Sequence, residues 1–503
     1  MLLQSVVGRL RVARHRAQGV LGTFVLAALC FSAPALAASP TSSALPPAVV
    51  AALARAQLPQ DALAVVVVEA EGGKAPRLAW QPALAMNPAS VMKLVTTFAA
   101  LDQLGPAYTW RTPFYLGGPV RGGVLQGPLY IQGQGDPRLV MERLWLALRR
   151  LQALGVRTIA GDIVLDRSAF ALAAHDPGRF DGESLRPYNV SPDALLVNYK
   201  SLIMGFLPDA AAGLARIQYD PPLAGMALQA SVPLAPEGTP CGDWHARLQG
   251  TLEEPGRMAF AGQYPASCGE RNWAVAPVDS AQFAARAIEG MWRELGGKLS
   301  GSVRDGRVPP GLTPAMVVES PALSEVVRDI NKYSNNVMAQ QVFLTLGWQR
   351  TGVGSWDSAR AALDPWWRQR VGVQELPVVD NGAGLSRDAR VTAQGLARML
   401  QVAWASPVMP EFLASLPVLG VDGTLRRNRS RASGAAHLKT GTLRDASALA
   451  GFVHAASGRR YVLVAMVNHS QAAAARPAMD ALVEWAASDL AASDRAASDR
   501  ALR

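Results

Sequence analysis

The sequence predicts an α/β (α+β) fold with a long, mainly β middle section. A strong helical pattern opens at Asn87-Pro88 and continues to about Leu104. Strand patterns separated by short turns occupy 437–468. Between these regions, from about 106 to 310, short apolar runs are broken by Gly and Pro, as in a series of short strands. The length of 503 residues favours about two or three domains.

The first 38 residues predict a secretory signal peptide. Four arginines and no acidic residue are followed by an apolar run from Val20 to about Ala33. The small-residue site at 35–37 then fits cleavage by a signal peptidase. The run is short for a membrane-spanning helix, and no later stretch is long and apolar enough to be one. We therefore expect an exported protein with no transmembrane segment after cleavage.

The elements of the mature chain follow from periodicity and capping. The run Val65–Val68 predicts a buried strand within 62–70. Asn87 is a favoured helix N-cap and Pro88 a favoured first residue, so Ser90 is expected in the first turn of a helix. Glycines at 133 and 135 predict a turn between strands. Further helices are predicted at 46–57, 280–295, 323–330, 338–346 and 477–485, and further strands at 437–442, 449–454 and 461–468.

Charge and cysteine usage limit the classes of partner. Removing the four leader arginines lowers the net charge from +10 to +6. A basic exported protein is attracted to anionic wall polymers or membrane surfaces, although an arginine-rich genome gives the same excess. Basic runs with interleaved aromatics are missing, so nucleic acid is not an expected partner. Scattered histidines without a ligand cluster predict no metal and no cofactor.

Two cysteines, Cys241 and Cys268, remain after cleavage removes Cys30. An oxidising compartment allows them to pair. The closed loop would stabilise the fold by roughly 3 kcal/mol on a chain-entropy argument. Two unpaired buried thiols are the alternative.

Three short motifs carry the chemistry: Ser-Val-Met-Lys at 90–93, Ser-Asn-Asn at 334–336 and Lys-Thr-Gly-Thr at 439–442. The chain has only six lysines, and its positive charge is otherwise arginine. Arginine does not release its proton at working pH, whereas a desolvated lysine does. A lysine three residues after a serine therefore suggests a titratable amine.

Ser90 and Lys93 would share one face of a helix, about one turn apart. A neutral amine can deprotonate a serine hydroxyl, but the ordinary lysine pKa leaves well under about 1% neutral at pH 7. Burial and a neighbouring cation, for which Lys439 is the candidate, would have to lower the pKa of Lys93 by about 3. For this pair alone, an exposed serine beside an unrelated lysine is the simpler explanation.

The other two motifs supply what acyl transfer still needs. Ser334 offers a hydroxyl for proton relay and Asn336 an amide for Lys93 or a substrate carbonyl, although a helix cap alone would explain them. Lys439 and its following threonine suit a terminal carboxylate. On a strand, the glycine of this motif leaves room for an extended substrate, and the N–H of Thr442 can face an oxyanion.

Together these motifs resemble the signature of the penicillin-recognising serine acyl-transferases. Within them the chain is similar to the low-molecular-mass D-alanyl-D-alanine carboxypeptidases/endopeptidases, peptidase family S13, which are penicillin-binding-protein-4-like. The long insert between the first two motifs and the segments at 133–137, 161–166 and 380–387 carry this similarity. The implied fold is a serine β-lactamase/penicillin-binding transpeptidase-like domain whose mainly β insert splits into two smaller domains.

The resemblance extends to about residue 485 and implies a domain plan. The predicted parts are a signal peptide at 1–38, a discontinuous catalytic domain at 39–105 and 311–485, an inserted domain at 106–194 and 276–310, a nested domain at 195–275, and a low-complexity tail at 486–503.

The resemblance also implies roles for the site residues. Ser90 attacks the carbonyl between two D-alanines, or the cross-link, with Lys93 as base. The remaining roles are proton relay by Ser334, support by Asn336, carboxylate binding by Lys439 and Thr440, approach of substrate along Gly441, and an oxyanion hole from the N–H groups of Ser90 and Thr442.

Two further positions match residues that contact the diamino-acid side chain of the substrate in this family, Asp166 and Arg387. Two positions depart from the family pattern. Asn381 adds one residue to a segment that is usually Asp-Gly-Ser-Gly-Leu-Ser. Arg444 stands where the family usually has a neutral glutamine. Both departures leave the preference among peptide ends open.

The predicted activity is therefore a periplasmic serine DD-peptidase that acts on peptidoglycan stem peptides and cross-links and is acylated by β-lactams. A β-lactamase or esterase of the same superfamily is one alternative, which the long insert argues against. A catalytically silent peptidoglycan-binding protein is the other, which the intact motifs argue against.

Overall fold

The computed structural model describes residues 44–372 and 376–489, and a five-stranded antiparallel sheet forms its centre. The predicted signal peptide and most of the predicted tail lie outside the described residues. In spatial order, the strands of the central sheet are Leu78–Trp80, Leu63–Glu69, Arg460–Asn468, Ala446–His454 and Ala436–Leu443.

Both faces of the central sheet are buried, which explains the unbroken valine run. Successive side chains of a strand point to opposite faces. Val66 and Val68 therefore pack into one hydrophobic core, whereas Val65 and Val67 pack into a second core on the other face. A half-exposed strand would instead have alternated apolar and polar residues.

Helices cover the two faces unequally. The first face is covered by Lys93–Leu104, Leu323–Tyr333, Asn336–Thr351, Trp356–Arg370, Ala393–Trp404 and Met409–Ser415. The other face is covered by Pro47–Arg55 and Arg476–Ala487. Two short strands, Ala85–Met86 and Val391–Thr392, pair beside the larger helical layer.

The insert, residues 106–310, contributes strands to four further sheets. One sheet contains Val303–Asp305, Ile163–Asp166, Leu129–Gln132, Arg111–Leu116 and Met316–Glu319. A second contains Lys298–Leu299, Thr158–Ile159, Val124–Leu125 and Val120–Arg121. The others contain Ser231–Pro233, Leu214–Asp220, Leu202–Asp209 and Arg271–Val275, and Ala227–Leu228, Arg257–Phe260 and Gly250–Thr251.

The insert has its own hydrophobic core and three helices, Met141–Ala153, Trp244–Leu248 and Phe283–Glu294. Cys241 and Cys268 are joined by a disulfide in this region. The predicted domain boundaries stay a prediction.

Most predicted elements outside the insert are confirmed within a few residues, and one prediction inside it is wrong. The turn at 133–137 leads into the helix Met141–Ala153, not into another strand. Its apolar side chains Leu144, Leu148 and Leu151 recur on one face and are buried, so the helical period was present in the sequence. Among the helices of residues 44–372 and 376–489, none has the length and apolar character needed to cross a membrane.

Candidate active site

Ser90 lies in a short 3₁₀ turn, Ala89–Met92, and the α-helix begins only at Lys93. The prediction that Ser90 occupies a first helical turn is therefore right in position but not in helix type. Asn87 closes the turn, because its side-chain oxygen accepts the N–H of Ala89 at 2.9 Å. Ala89 has φ of 47°, a left-handed conformation that turns the chain sharply before the serine.

Lys93 is fully buried and its amine has three partners. Its Nζ lies 2.9 Å from Ser90 Oγ, 2.6 Å from Asn336 Oδ1 and 2.7 Å from the carbonyl oxygen of Ala383. The amide oxygen and the carbonyl can only accept, whereas the serine hydroxyl can also donate. If the amine is neutral, its two N–H groups donate to Asn336 Oδ1 and to the Ala383 carbonyl. Its lone pair then faces the Ser90 hydroxyl.

The pKa of Lys93 is lowered well below its ordinary value, first by burial and then by the charge of Lys439. Burial also lowers the pKa of Lys439 to about 7. Taking a charged amine out of water is costly, so each site favours the neutral form. Lys439 was expected to be charged, and an anion bound beside it would favour that form against the effect of burial.

Ser334 joins the second motif to the third. It terminates the helix Leu323–Tyr333 in a left-handed conformation with φ of 58°. Its hydroxyl accepts a hydrogen bond from Lys439 Nζ at 2.9 Å, and the same amine donates to the carbonyl of Thr440 at 2.6 Å. The helix break at this position thus brings the hydroxyl beside the second buried amine.

A cavity of about 450 Å³, the Ser90 cavity, brings the three motifs together. Its polar lining consists of Ser90, Ser334, Thr424, Asn428, Thr440, Thr442, Ser447, Arg476 and Asp480. The hydroxyls of Thr424 and Thr440 lie 2.9 Å apart. A substrate in this cavity would meet hydroxyls at its surface and the two buried amines behind them.

Gly441 lies against the turn that carries Ser90. A Cβ at this position would lie 2.5 Å from the carbonyl oxygen of Pro88 and 3.0 Å from the amide nitrogen of Ser90. The missing side chain therefore lets the strand approach the backbone of the serine turn. Room for an extended substrate at this glycine stays a prediction.

The N–H of Thr442 points out of the sheet. The strand Ala436–Leu443 lies at the sheet edge, and the N–H of Leu438 donates outward to Pro417 at 2.9 Å. Backbone groups of an antiparallel strand alternate between its two sides with a period of two residues. The N–H of Thr442 therefore also faces outward, at a residue that lines the Ser90 cavity.

The loop 381–387 supports the base. Asn381 accepts the N–H of Ala383 at 3.0 Å and donates to the carbonyl of Leu385 at 2.7 Å. This closed turn presents the Ala383 carbonyl to Lys93. At Gly384, a Cβ would lie 1.9 Å from the carbonyl oxygen of Ala89, so only glycine fits against the serine turn. The departure at Asn381 thus has a structural role.

Arg387 lines a second cavity of about 550 Å³, the Arg387 cavity. Its guanidinium pairs with Asp445 at 2.9 Å and lies 4.5 Å from the ring centre of Phe180. The other lining residues include His175, Asp176, Arg179, Gln340, Trp356, Asp380, Asn381 and Asp388. Arg444, the second departure, is exposed beside this pair.

The structure does not place Asp166 with Arg387. Asp166 is 3% exposed, and its carboxylate accepts the backbone N–H of Ser168 at 2.9 Å and of Val308 at 3.0 Å. These bonds hold the turn after its strand and lower the pKa of the carboxyl against the effect of burial. The carboxylate is thus hydrogen-bonded within the insert, and the carboxylate that pairs with Arg387 is that of Asp445.

One further element of the site was not predicted, the segment 172–192 of the insert. It lines the Arg387 cavity, and the carbonyl of Tyr188 accepts a hydrogen bond from Asn336 Nδ2 at 3.1 Å. A backbone carbonyl leaves no mark in residue type, so no motif could have revealed this contact.

Comparison with known proteins agrees with this geometry. Residues 46–489 match the D-Ala-D-Ala carboxypeptidase 3 (S13) family. The chain is 30% identical over 406 residues to a D-alanyl-D-alanine carboxypeptidase of Actinomadura sp. (strain R39), covering 76% of this chain and 73% of that protein. It is 24% identical over 395 residues to the carboxypeptidase DacB of Haemophilus influenzae, covering 76% and 80%.

The fold also matches a solved structure, penicillin binding protein 4 of Haemophilus influenzae. The TM-score is 0.68 at 21% identity, with coverage of 87% of this chain and 99% of that one. A second structure of that protein, complexed with a β-lactam, gives a TM-score of 0.65. The fold class, the enzyme class and the family predicted from the motifs are confirmed: this chain belongs to the D-Ala-D-Ala carboxypeptidase S13 family of penicillin-binding serine hydrolases.

Proposed function

We propose that Ser90 is the nucleophile of a DD-carboxypeptidase/endopeptidase that trims peptidoglycan stem peptides and opens their cross-links. The observation that carries the proposal is the environment of Lys93. Its buried amine lies 2.9 Å from Ser90 Oγ and is otherwise surrounded by two acceptors. Acyl transfer requires a base within hydrogen-bond distance of the nucleophile, and burial lowers the pKa of this amine toward that role.

Acylation would begin with transfer of the Ser90 proton to Lys93. The freed oxygen attacks the carbonyl carbon of the penultimate D-alanine, and the negative charge moves to the carbonyl oxygen. The N–H groups of Ser90 and Thr442 stabilise that oxyanion. Protonated Lys439, with Thr440, binds the terminal carboxylate, which restores the positive charge that burial disfavours.

Release of the terminal D-alanine requires a proton on its nitrogen as the C–N bond breaks. The Ser334 hydroxyl, 2.9 Å from Lys439 Nζ, can supply it. The proton that Lys93 took from Ser90 then replaces the one that Ser334 gave, which leaves Lys93 neutral and Lys439 charged. Water then attacks the ester on Ser90 with Lys93 again as base. The products are the shortened peptide, D-alanine and the free serine. A β-lactam would acylate Ser90 by the same first step.

We further propose that the Arg387 cavity receives the diamino-acid side chain of the stem peptide. That side chain ends in an ammonium group and a carboxylate or its amide. Arg387 suits the carboxylate, and Asp176 suits the ammonium. The loop 381–387 lines this cavity and also supports Lys93, so both cavities can serve one substrate.

The proposed location is the periplasm, reached through the predicted signal peptide. The substrate supports it, because peptidoglycan lies outside the cytoplasmic membrane. The basic mature chain also suits contact with an anionic wall or membrane surface.

The test uses the purified mature protein and a labelled penicillin. We expect one label per molecule on the peptide that contains Ser90, and release of D-alanine from a pentapeptide. Ser90→Ala should remove both while Ser168→Ala, a serine of the insert, retains both. Labelling that survives Ser90→Ala would refute the assignment. Rapid β-lactam turnover without D-alanine release would identify a β-lactamase, and peptidoglycan binding without either reaction a silent protein.

A further inference from the structure

The insert contacts the catalytic apparatus through the amide of Asn336. This side chain is 8% exposed and lies between two partners of opposite character. Its Oδ1 accepts from Lys93 Nζ at 2.6 Å, and its Nδ2 donates to the carbonyl of Tyr188 at 3.1 Å. The second contact spans 148 residues of sequence and comes from the insert.

The orientation of this amide decides where the lone pair of a neutral Lys93 points. With Oδ1 toward Lys93, the amine donates to Asn336 and to Ala383, and its lone pair remains for Ser90. With the amide reversed, Nδ2 would donate to Lys93 and occupy that lone pair. Reversal would also bring Oδ1 against the Tyr188 carbonyl, two acceptors facing one another. The carbonyl therefore excludes the reversed amide.

The segment that carries this carbonyl, 187–190, is held firmly to the insert. Asn189 is 3% exposed, and its Nδ2 donates to Asp181 Oδ1 at 2.8 Å and to the carbonyl of Glu183 at 3.0 Å. Its own carbonyl accepts from His175 Nε2 at 2.7 Å. Asn189 therefore fixes the backbone directly after Tyr188.

The same segment is also held to the catalytic helix. Val190 is buried in one small hydrophobic cluster with Val337, the residue that follows Asn336. Both valines are 2% exposed. The segment 187–190 is thus anchored on both sides, to the insert by polar contacts and to the helix Asn336–Thr351 by packing.

We propose that the segment 187–190 is a positioning element of the active site, which orients the Asn336 amide and thereby directs the lone pair of Lys93 to Ser90. This inference rests on the proposed function of Ser90 and Lys93. It gives the insert a part in the rate of acylation, in addition to any part in the choice of peptide. Asn189 is a positioning residue and touches no reacting atom.

The proposal predicts two changes when the segment loosens. The Asn336 amide then adopts both orientations, and only the one with Oδ1 toward Lys93 supports acylation. The plateau rate of acylation therefore falls. The reversed amide also stabilises neutral Lys93, because it donates to the lone pair, and it offers no acceptor to the charged amine. The pKa of Lys93 then falls further, and the rising limb of the pH–rate profile moves to lower pH.

The experiment measures the rate of Ser90 acylation by a labelled penicillin from low to high pH in the full mature protein. Asn189→Ala removes the anchor, and Val190→Ala weakens the packing by a second route. We expect the plateau rate to fall about fivefold, the size of one hydrogen bond between neutral groups, with the rising limb displaced to lower pH. Asn272→Ala, on an exposed strand of the insert, is the matched control and should leave both unchanged.

Prolonged labelling with excess penicillin counts the folded active sites in each variant, so partial unfolding is separated from slower chemistry. A lower rate with an unmoved limb in both variants would mean a merely structural role and would overturn the proposal. Wild-type rate and limb in both would overturn it as well. Absence of labelling in the wild type would instead overturn the proposed function, on which this inference depends.

Discussion

The Ser90 cavity and the Arg387 cavity are similar in size, at about 450 and 550 Å³. They differ in whether the charged groups beside them are buried or exposed to water. Behind the Ser90 cavity lie two amines that are wholly buried and whose pKa values are lowered by that burial. Along the Arg387 cavity, the charges are half exposed, and Arg387 and Asp445 keep 43% and 57% of their side-chain surfaces accessible.

Because of this difference, we expect the Ser90 cavity to set the rate of acylation and the Arg387 cavity to set the choice among peptides. Burial changes the protonation of an amine and so creates a base, whereas an exposed ion pair is screened by water and contributes little energy. Changes at the Ser90 cavity should therefore alter acylation of every substrate. Changes at the Arg387 cavity should alter only the ranking of peptides. The loop 381–387, which contributes to both, connects the two effects.

The largest expected effect is that of Lys93→Met, which tests whether the buried amine is the base. A general base contributes about 10²–10⁴ to a rate, so penicillin acylation should slow by about a thousandfold. Stopped-flow or quench measurements at pH 7 check this. Lys74→Met is the control, since Lys74 is a surface residue paired with Glu69. A loss of less than tenfold would remove Lys93 from that role.

The next effect is a bell-shaped pH dependence for a peptide substrate that carries a terminal carboxylate. The rising limb reflects loss of a proton from Lys93, whose pKa is lowered well below its ordinary value by burial and by the charge of Lys439. The falling limb reflects loss of the proton of Lys439, whose pKa is about 7 in the free enzyme. We expect kcat/KM to decline above about pH 7. A penicillin ester lacking the carboxylate should not show the decline, and a shared falling limb would contradict this assignment.

A smaller effect is expected from Arg387→Ala, which tests the role of the second cavity. Discrimination between a free and an amidated diamino-acid side chain should change by about fivefold, the size of one exposed ion pair. Penicillin acylation should not change. Arg216→Ala breaks a comparable exposed pair with Asp209 and should alter neither. An equal loss for all peptides and for penicillin would place Arg387 in the rate-determining site instead.

The smallest effect on activity is expected from the double variant Cys241→Ser, Cys268→Ser. The disulfide restricts the unfolded chain, so its loss should lower the free energy of unfolding by roughly 3 kcal/mol. Denaturant titration checks this, with the reduced wild type as reference. Acylation at 25 °C should stay at the wild-type rate. A lower rate with an unchanged stability would show that this part of the insert takes part in catalysis.

The five motif residues were predictable because each needs a particular functional group at a particular spacing. The sequence shows a serine with a lysine three residues later, and it shows a lysine within a predicted strand. The substrate contact of Asp166 stays a prediction, because residue type alone does not distinguish a carboxylate that caps a turn from one that binds substrate. The structure adds that this carboxylate accepts the N–H groups of Ser168 and Val308.

The sequence by itself determined the acyl-transfer chemistry, the family and the elements that surround the central sheet, since these depend on residue type and short-range periodicity. Only the tertiary structure decided the pKa values of the two amines and the backbone contacts around Ser90. Burial lowers the pKa of both amines, and Gly441 and Gly384 let two backbones approach the Ser90 turn. The carbonyl of Tyr188 reaches the Asn336 amide from the insert. Desolvation and backbone contacts arise only when distant segments pack together, so no local pattern encodes them.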